Sequence, residues 1–433
     1  MKEFLASLYY QLTSASLANL LKRRKKNNVH YQPTGNRLLY VPASSLPYHV
    51  SGYTTRTHEV IRALVDAGGD IAVLTRPGYP WDRGDRVQHT VESITVIDNI
   101  TYCHLPSPSK HRPLLLYALQ AARVIKKIAL QQQVRIIHAA SNHENAIPAL
   151  LAAKELAIPF QYEMRGLWEL TRASRIPGYE NSADFLKGLA LEGFVANQAD
   201  RVLVISEQLR KFAQERWNIP ADRFSLLPNC VNPAHFLPAD PGTVETNTIG
   251  YAGSLLAYEG LDTLIEATYQ LINRGINIQV NIVGDGEARG ELQQQVQQLG
   301  LSDHVHILGR VSPTSAREII SRCTLICIPR KPFKVCQIVP PIKLVEALAT
   351  GKPVIVPDLP VFRDEMGANP AGWFFKAGEA TDLAQVIETA LANQTLLTAY
   401  SIRAREYAAT QRRWSDFVGN VLPTTPPKDF HGR

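Results

Sequence analysis

The sequence is poor in cysteine, in long apolar runs and in surplus charge, and each shortage narrows the field. Its five cysteines, Cys103, Cys230, Cys323, Cys327 and Cys336, are scattered through 433 residues. They form no CxxC pair and no histidine cluster accompanies them, which argues against a disulfide framework or zinc site and for thiols in a reducing compartment. No apolar run reaches the roughly 18 residues of a membrane-spanning helix. Lysine and arginine number 46 against 39 aspartates and glutamates, a surplus of seven. Such a balance suits nucleic acid, anionic lipid or a phosphorylated small substrate equally. With no aromatic-rich face beside the basic residues, nucleic acid is not expected as a partner. What is present is ordinary globular composition, 45% hydrophobic and 20% charged. The length is about three times that of a typical domain, so two domains are the natural expectation.

Residues 1–36 form a segment of their own. Leu5, Leu8, Leu12 and Ala15 have helical spacing, and Lys22-Arg23-Arg24-Lys25-Lys26 follows. The charge comes after the apolar part, which is the wrong order for a signal peptide. A basic amphipathic helix on an anionic membrane face is one reading, and a solvated leader is the other.

From Arg37 the chain alternates strands and helices. Apolar runs at Leu38, Ile71, Ile94, Val134, Phe160 and Arg201 read as strands, separated by helical patterns near 54–67, 114–130, 145–156 and 183–199. The pattern stops around Pro228 to Thr248, where Pro228, Pro233, Pro238 and Pro241 crowd together, and then begins afresh at Ile249. Such alternation predicts parallel sheets covered on both faces. The expected layout is an α/β protein of two Rossmann-like domains facing across a cleft. They span residues 37–230 and 231–394, and 395–433 form a last helix and tail.

Residues able to carry chemistry sit at the predicted strand ends, where ligands bind in open α/β sheets. Ser51-Gly52 opens a helix where backbone amides can approach a phosphate, although a simple turn explains it equally. Gly284 in Gly284-Asp285-Gly286, and Arg310-Val311 after Gly309, offer backbone groups on the same terms. The segment from Pro329 to Pro357 is more telling. Arg330, Lys331, Lys334 and Lys343 gather cations about the start of one helix, as a diphosphate requires. Glu346, three residues after Lys343, shares its helical face and can accept hydrogen bonds from ribose hydroxyls. In the first half, Glu163 and Arg165 close a strand; they are either a site or a plain ion pair. His138 and His143 flank the preceding loop, as ligand groups or as structural histidines.

The order of "ADRVLVIS", "LPNCVN", "YAGSLLAYEGLDTLIEA", "VGDG", "HILGRV" and "VEALATGKPVI" resembles the family 4 glycosyltransferases, which have the GT-B fold. "SGYTTRTHEV" and "YEMRGLWELTRASR" are similar to a bacterial subgroup associated with exopolysaccharide gene clusters. The resemblance implies a retaining, metal-independent hexosyl transfer from a nucleotide diphosphate sugar to a glycan or lipid-linked acceptor. It implies no cofactor, and a cytoplasmic protein, peripheral at the inner membrane face if the basic segment binds lipid. The second half would bind the donor and the first half the acceptor. Ser51, Gly52, Gly253, Ser254, Gly284, Arg310, Val311, Arg330, Lys334 and Lys343 would hold the donor, with Glu346 on the ribose. His143 and Arg165 would stand on the acceptor side, and Glu163, Arg165 and Arg330 would serve catalysis. The last helix would cross back to the first domain. The chain departs from the pattern at Ile338, where the family has a first glutamate, and at Glu259-Gly260, where it often has Lys-Gly. Arg165 occupies the place of a common histidine. Two other functions therefore stand beside transfer: a nucleotide-sugar 2-epimerase, and a non-catalytic GT-B scaffold.

Overall fold

Short runs that are apolar at every position need cover on both faces, and this chain supplies helices for that purpose. In the computed structural model, which describes residues 16–19, 31–88, 90–238 and 240–422, the chain divides into two units. The basic N-terminal segment lies outside the described residues. Unit 1 holds the described residues up to Ala173, Gly178–Pro228 and those from Trp414 on; unit 2 holds Ser174–Pro177 and Asn229–Arg413.

The sheet of unit 1 has eight strands: β1 (Leu38–Val41), β2 (Ile71–Leu74), β3 (Ile94–Ile97), β4 (Ile100–Cys103), β5 (Ile136–Ala140), β6 (Phe160–Met164), β7 (Arg201–Val204) and β8 (Phe224–Leu226). Their spatial order is β3-β4-β2-β1-β5-β6-β7-β8. β1, β5 and β6 are buried at every residue. All pairings are parallel except β3 with β4. That hairpin departs from the expected all-parallel sheet. It turns on Asp98 and Asn99 at φ +47° and +62°, the left-handed pair that two-residue hairpins require.

Unit 2 has six parallel strands: β9 (Glu245–Ala252), β10 (Gln279–Val283), β11 (Val305–Gly309), β12 (Cys323–Cys327), β13 (Val354–Pro357) and β14 (Gly372–Phe375), in the order β11-β10-β9-β12-β13-β14. In each unit the first strand sits between neighbours reached in opposite directions. β1 lies between β2 and β5, and β9 lies between β10 and β12. These are the switch points, and the space beyond their carboxyl ends is where such sheets bind ligands.

Two stretches depart from the sequence reading. Ahead of the expected helix Ile342–Ala349, the segment after β12 forms a further short helix, Lys334–Ile338, kept separate because Pro340 and Pro341 can neither donate to a helix nor admit one before them. The helix Gln394–Gln411 belongs to unit 2, where it packs on Ile342–Ala349. The chain rejoins unit 1 only at Trp414, whose ring lies 5.1 Å under the Arg56 guanidinium.

Candidate functional site

At the switch point of unit 2, the loops after β9 and β12 bring three charged side chains together. Glu259 is 3% exposed. It accepts hydrogen bonds from Arg330 Nε at 3.2 Å and Nη2 at 2.9 Å, and from Lys343 Nζ at 2.9 Å. Arg330 Nη1 donates to the Val339 carbonyl at 3.0 Å, so its guanidinium is held on both sides. The Lys343 ammonium donates to Tyr251 Oη at 2.6 Å, and that hydroxyl donates to the Ser254 carbonyl at 2.9 Å. Burial alone would raise the Glu259 carboxyl, but Arg330 and Lys343 outweigh it and hold it at about 2. Burial depresses Lys343, and Glu259 offsets part of that.

The backbone beside the cluster has no room for side chains. Gly253, at φ +154°, would place a Cβ 2.6 Å from Lys343 Nζ, and a Cβ on Gly284, at φ +143°, would lie 1.8 Å from the Gly253 carbonyl oxygen. The close approach at Gly284 is thus to a neighbouring loop of the chain itself. Ser254 is exposed, and Glu346 is half-buried one turn beyond Lys343. The helix carrying both follows Pro341, which supplies no side-chain cap; the Leu344 N–H turns back to the Pro341 carbonyl at 3.1 Å, and ahead of it in the first turn stand the Ile342 and Lys343 amides.

Not all the expected cations join. Lys331 turns to Asp262 at 2.6 Å, and Lys334 lies exposed at the start of its own short helix. Arg310 and Val311 follow β11, the edge strand, and the hydrogen bonds of the Glu259 cluster do not extend to them.

In unit 1, Glu163 on β6 is 1% exposed and its carboxylate is saturated. It accepts from Tyr40 Oη at 2.6 Å, Arg56 Nη2 at 3.0 Å, His138 Nε2 at 3.1 Å, and Arg165 Nε and Nη2 at 2.9 and 3.0 Å. Arg165 also donates to Thr57 Oγ1 at 2.7 Å, and its guanidinium lies 4.6 Å over the Tyr53 ring. Burial would raise the Glu163 carboxyl, but Arg165, His138 and Arg56 together hold it well below its ordinary value. Of the two readings left open by the sequence, the ion pair is what forms. A carboxylate so occupied has no lone pair left for acid–base work. Ser51 is likewise engaged, capping the helix Gly52–Asp66 in a capping box with Thr54.

His143 is buried at the start of the helix His143–Leu156, hydrogen-bonded to Glu192 Oε1 through its backbone N–H at 2.9 Å and Nδ1 at 3.2 Å. Tyr162 donates to the other oxygen of Glu192. Glu169 completes the group, with one ligand-type atom each of His143, Glu169 and Glu192 within 4.8 Å of one another. Burial, then Glu192, pushes the Glu169 carboxyl up to about 7, and its Oε2 finds no hydrogen-bond partner among the described residues. The sequence reading missed Glu169 and Glu192. The available signal was Glu192 itself, a carboxylate spaced three and four residues from the apolar Leu189, Val195 and Ala196 on the buried face of its helix.

Two family models match. The glycosyl transferases group 1 model covers residues 238–407, and the glycosyl transferase 4-like domain model covers residues 51–230. Phosphatidyl-myo-inositol mannosyltransferase of Mycobacterium leprae is 28% identical over 164 residues, 38% of this chain and 42% of that protein. Alpha-D-kanosaminyltransferase of Streptomyces kanamyceticus is 26% identical over 39% of this chain and 45% of its own length. The chain thus spans less than half the length of these curated relatives. Among solved structures, sucrose-phosphate synthase from Thermosynechococcus elongatus superposes with a TM-score of 0.73 at 16% identity, covering 89% of this chain and 97% of that one. Anabaena HepE in complex with UDP-glucose gives 0.66 at 17% identity, covering 89% and 98%. No helix among the described residues is long and apolar enough to cross a membrane.

Proposed function

The chain belongs to the family 4 glycosyltransferases, with the GT-B fold, and we propose that it moves a sugar from a nucleotide diphosphate sugar to a hydroxyl of a glycan or lipid-linked acceptor. The observation that carries the reading is the pairing of Lys343 and Arg330 at the switch point of unit 2, beside an uncapped helix start. Departure of a nucleoside diphosphate needs its growing negative charge neutralised more than it needs a protein acid. Lys343 and the first amides of its helix supply that neutralisation without a metal. Arg330, tied to Glu259 and Val339, holds the loop in place. Glu346 accepts the ribose hydroxyls. In front-face transfer the leaving phosphate helps to deprotonate the acceptor, so retention requires no protein nucleophile.

The names of the relatives support sugar transfer, and the HepE complex supports a uridine donor. The exopolysaccharide setting, the cytoplasmic location and membrane contact through the basic segment extend the same reading. The saturated, depressed Glu163 disfavours an epimerase, which needs a free acid–base carboxyl pair. A non-catalytic scaffold is favoured by one feature, Ile338 in place of the family's first glutamate.

Melting the protein with UDP, GDP, ADP and their sugar conjugates, without metal and then with Mg²⁺, tests the proposal. A ligand that binds only the native state raises the melting temperature. The expected result is a shift for one base, unchanged by Mg²⁺, with release of the nucleotide when the conjugate is incubated with enzyme. Binding without turnover would leave the scaffold, and no shift with any nucleotide would remove the donor site.

A further inference from the structure

We propose that Glu259 is a positioning residue for the donor diphosphate, an internal anion that holds Lys343 charged and aimed at the phosphate. This rests on the function proposed above and deepens it. At Glu259, where the family pattern that the sequence resembles often has a lysine, this chain has a carboxylate, which at first sight weakens an anion site. The geometry resolves the contradiction. Two cations from sequence positions 71 and 84 residues away, Arg330 and Lys343, close on the two oxygens of Glu259. The three groups together keep one net positive charge. The cation available to an anion is Lys343, at the start of its helix, and the carboxylate fixes where it stands.

Lys343 needs this help. Its side chain is only 14% exposed, and the Arg330 guanidinium stands close by. Burial and Arg330 both favour loss of its proton, while Glu259 and Glu346 oppose it. Tyr251 faces it from β9, with the ammonium 4.1 Å over the ring and hydrogen-bonded to the hydroxyl. With one N–H spent on Tyr251 and one on Glu259, an ammonium has a third to give. Gly253 leaves the space beside Nζ clear, since any Cβ there would come within 2.6 Å of it. Removing the Glu259 charge therefore does two things. It frees Lys343 to swing away, and it lets the ammonium deprotonate at lower pH.

The experiment is isothermal titration of the full chain with whichever of UDP, GDP and ADP shifts the wild-type melt, from pH 6 to 10, for wild type, Glu259→Gln and Glu259→Asp. Nucleoside monophosphate serves as the control ligand. For Glu259→Gln the expected result is at least a tenfold loss of diphosphate affinity with little change for the monophosphate. The high-pH fall in diphosphate affinity should begin at least one pH unit earlier. Glu259→Asp keeps the charge, so its pH profile should stay near that of wild type even if affinity drops. A purely structural role would weaken both ligands alike and leave the pH profile in place, and that result overturns the proposal. So does a Glu259→Gln protein that folds and binds the diphosphate as wild type does. If Glu259→Gln fails to fold, the Glu259→Asp profile decides: a wild-type pH dependence supports the proposal, and one displaced like that of a neutral substitution overturns it. Wild type that binds none of the three diphosphates removes the donor site itself, a failure distinct from either of these.

Discussion

Replacing Glu163 with glutamine tests whether unit 1 depends on a buried charge cluster, and the structure sets the size of the effect. The carboxylate receives five hydrogen bonds from Tyr40, Arg56, His138 and Arg165, all at or below 7% exposure. Removing one partner of a buried ion pair typically costs about 3–5 kcal/mol, because the other charge stays buried and uncompensated. Here both cations keep other acceptors. Arg56 donates to the Leu227 and Pro228 carbonyls at 2.6 and 2.7 Å, and Arg165 to Thr57. The expected loss is therefore at the lower end, about 3 kcal/mol at pH 7. Its pH dependence has a fixed sign. The folded pKa is depressed, so the stabilisation is complete above the ordinary value of 4.5 and disappears as pH falls through the folded one. Urea melts followed by circular dichroism, at pH 7 and again near pH 3, should show the gap between wild type and Glu163→Gln shrinking in acid. A gap under 1 kcal/mol at pH 7, or one that does not narrow in acid, would refute the argument.

Three further outcomes follow from the geometry. Glu169 behaves in the opposite sense, since its folded pKa of about 7 exceeds the ordinary 4.5. Its stability contribution is full below 4.5 and lost as pH rises to 7, so Glu169→Gln should be more stable than wild type at pH 8, by up to about 3 kcal/mol, and equal or worse at pH 4. Glu346→Ala should weaken nucleotide binding at least tenfold in the thermal-shift titration while leaving the unliganded melting temperature nearly unchanged; unchanged affinity removes the ribose assignment. Gly284→Ala would force a Cβ to within 1.8 Å of the Gly253 carbonyl, backbone against backbone. It should cost several kcal/mol in urea melts and fail to be relieved by trimming any neighbouring side chain.

The strands were legible because burial on both faces leaves an unbroken apolar run, as in Leu38–Val41 and Val354–Pro357. The β3–β4 hairpin was written in Asp98-Asn99, a turn signal that β/α alternation elsewhere obscured. The helix Ile342–Ala349 was legible, but the short helix Lys334–Ile338 before Pro340-Pro341 read as loop because five residues are too few to show a helical period. The site was legible as residue types and not as partnerships. Sequence order identified Arg330 and Lys343 as cations of interest, but their meeting on Glu259 joins residues 71 and 84 positions apart, and only the sheet brings them together. The same distance hid Glu192, which meets His143 across 49 positions. Glu163 and Arg165 lie two residues apart and were legible as a pair; their burial beside Arg56 and His138 was not.

The return of the chain to unit 1 at Trp414 has a bearing on how this protein is made. Arg56 lies over the Trp414 ring and donates to the carbonyls of Leu227 and Pro228, while Arg201 donates to the Asn420 carbonyl and Asn420 donates to the Leu226 carbonyl. During synthesis the first 228 residues emerge long before these partners exist. Unit 1 must then wait, with part of its surface open, while the ribosome adds the whole of unit 2. The portion made first is completed last, and a fragment ending at Pro228 is a domain missing one of its own pieces.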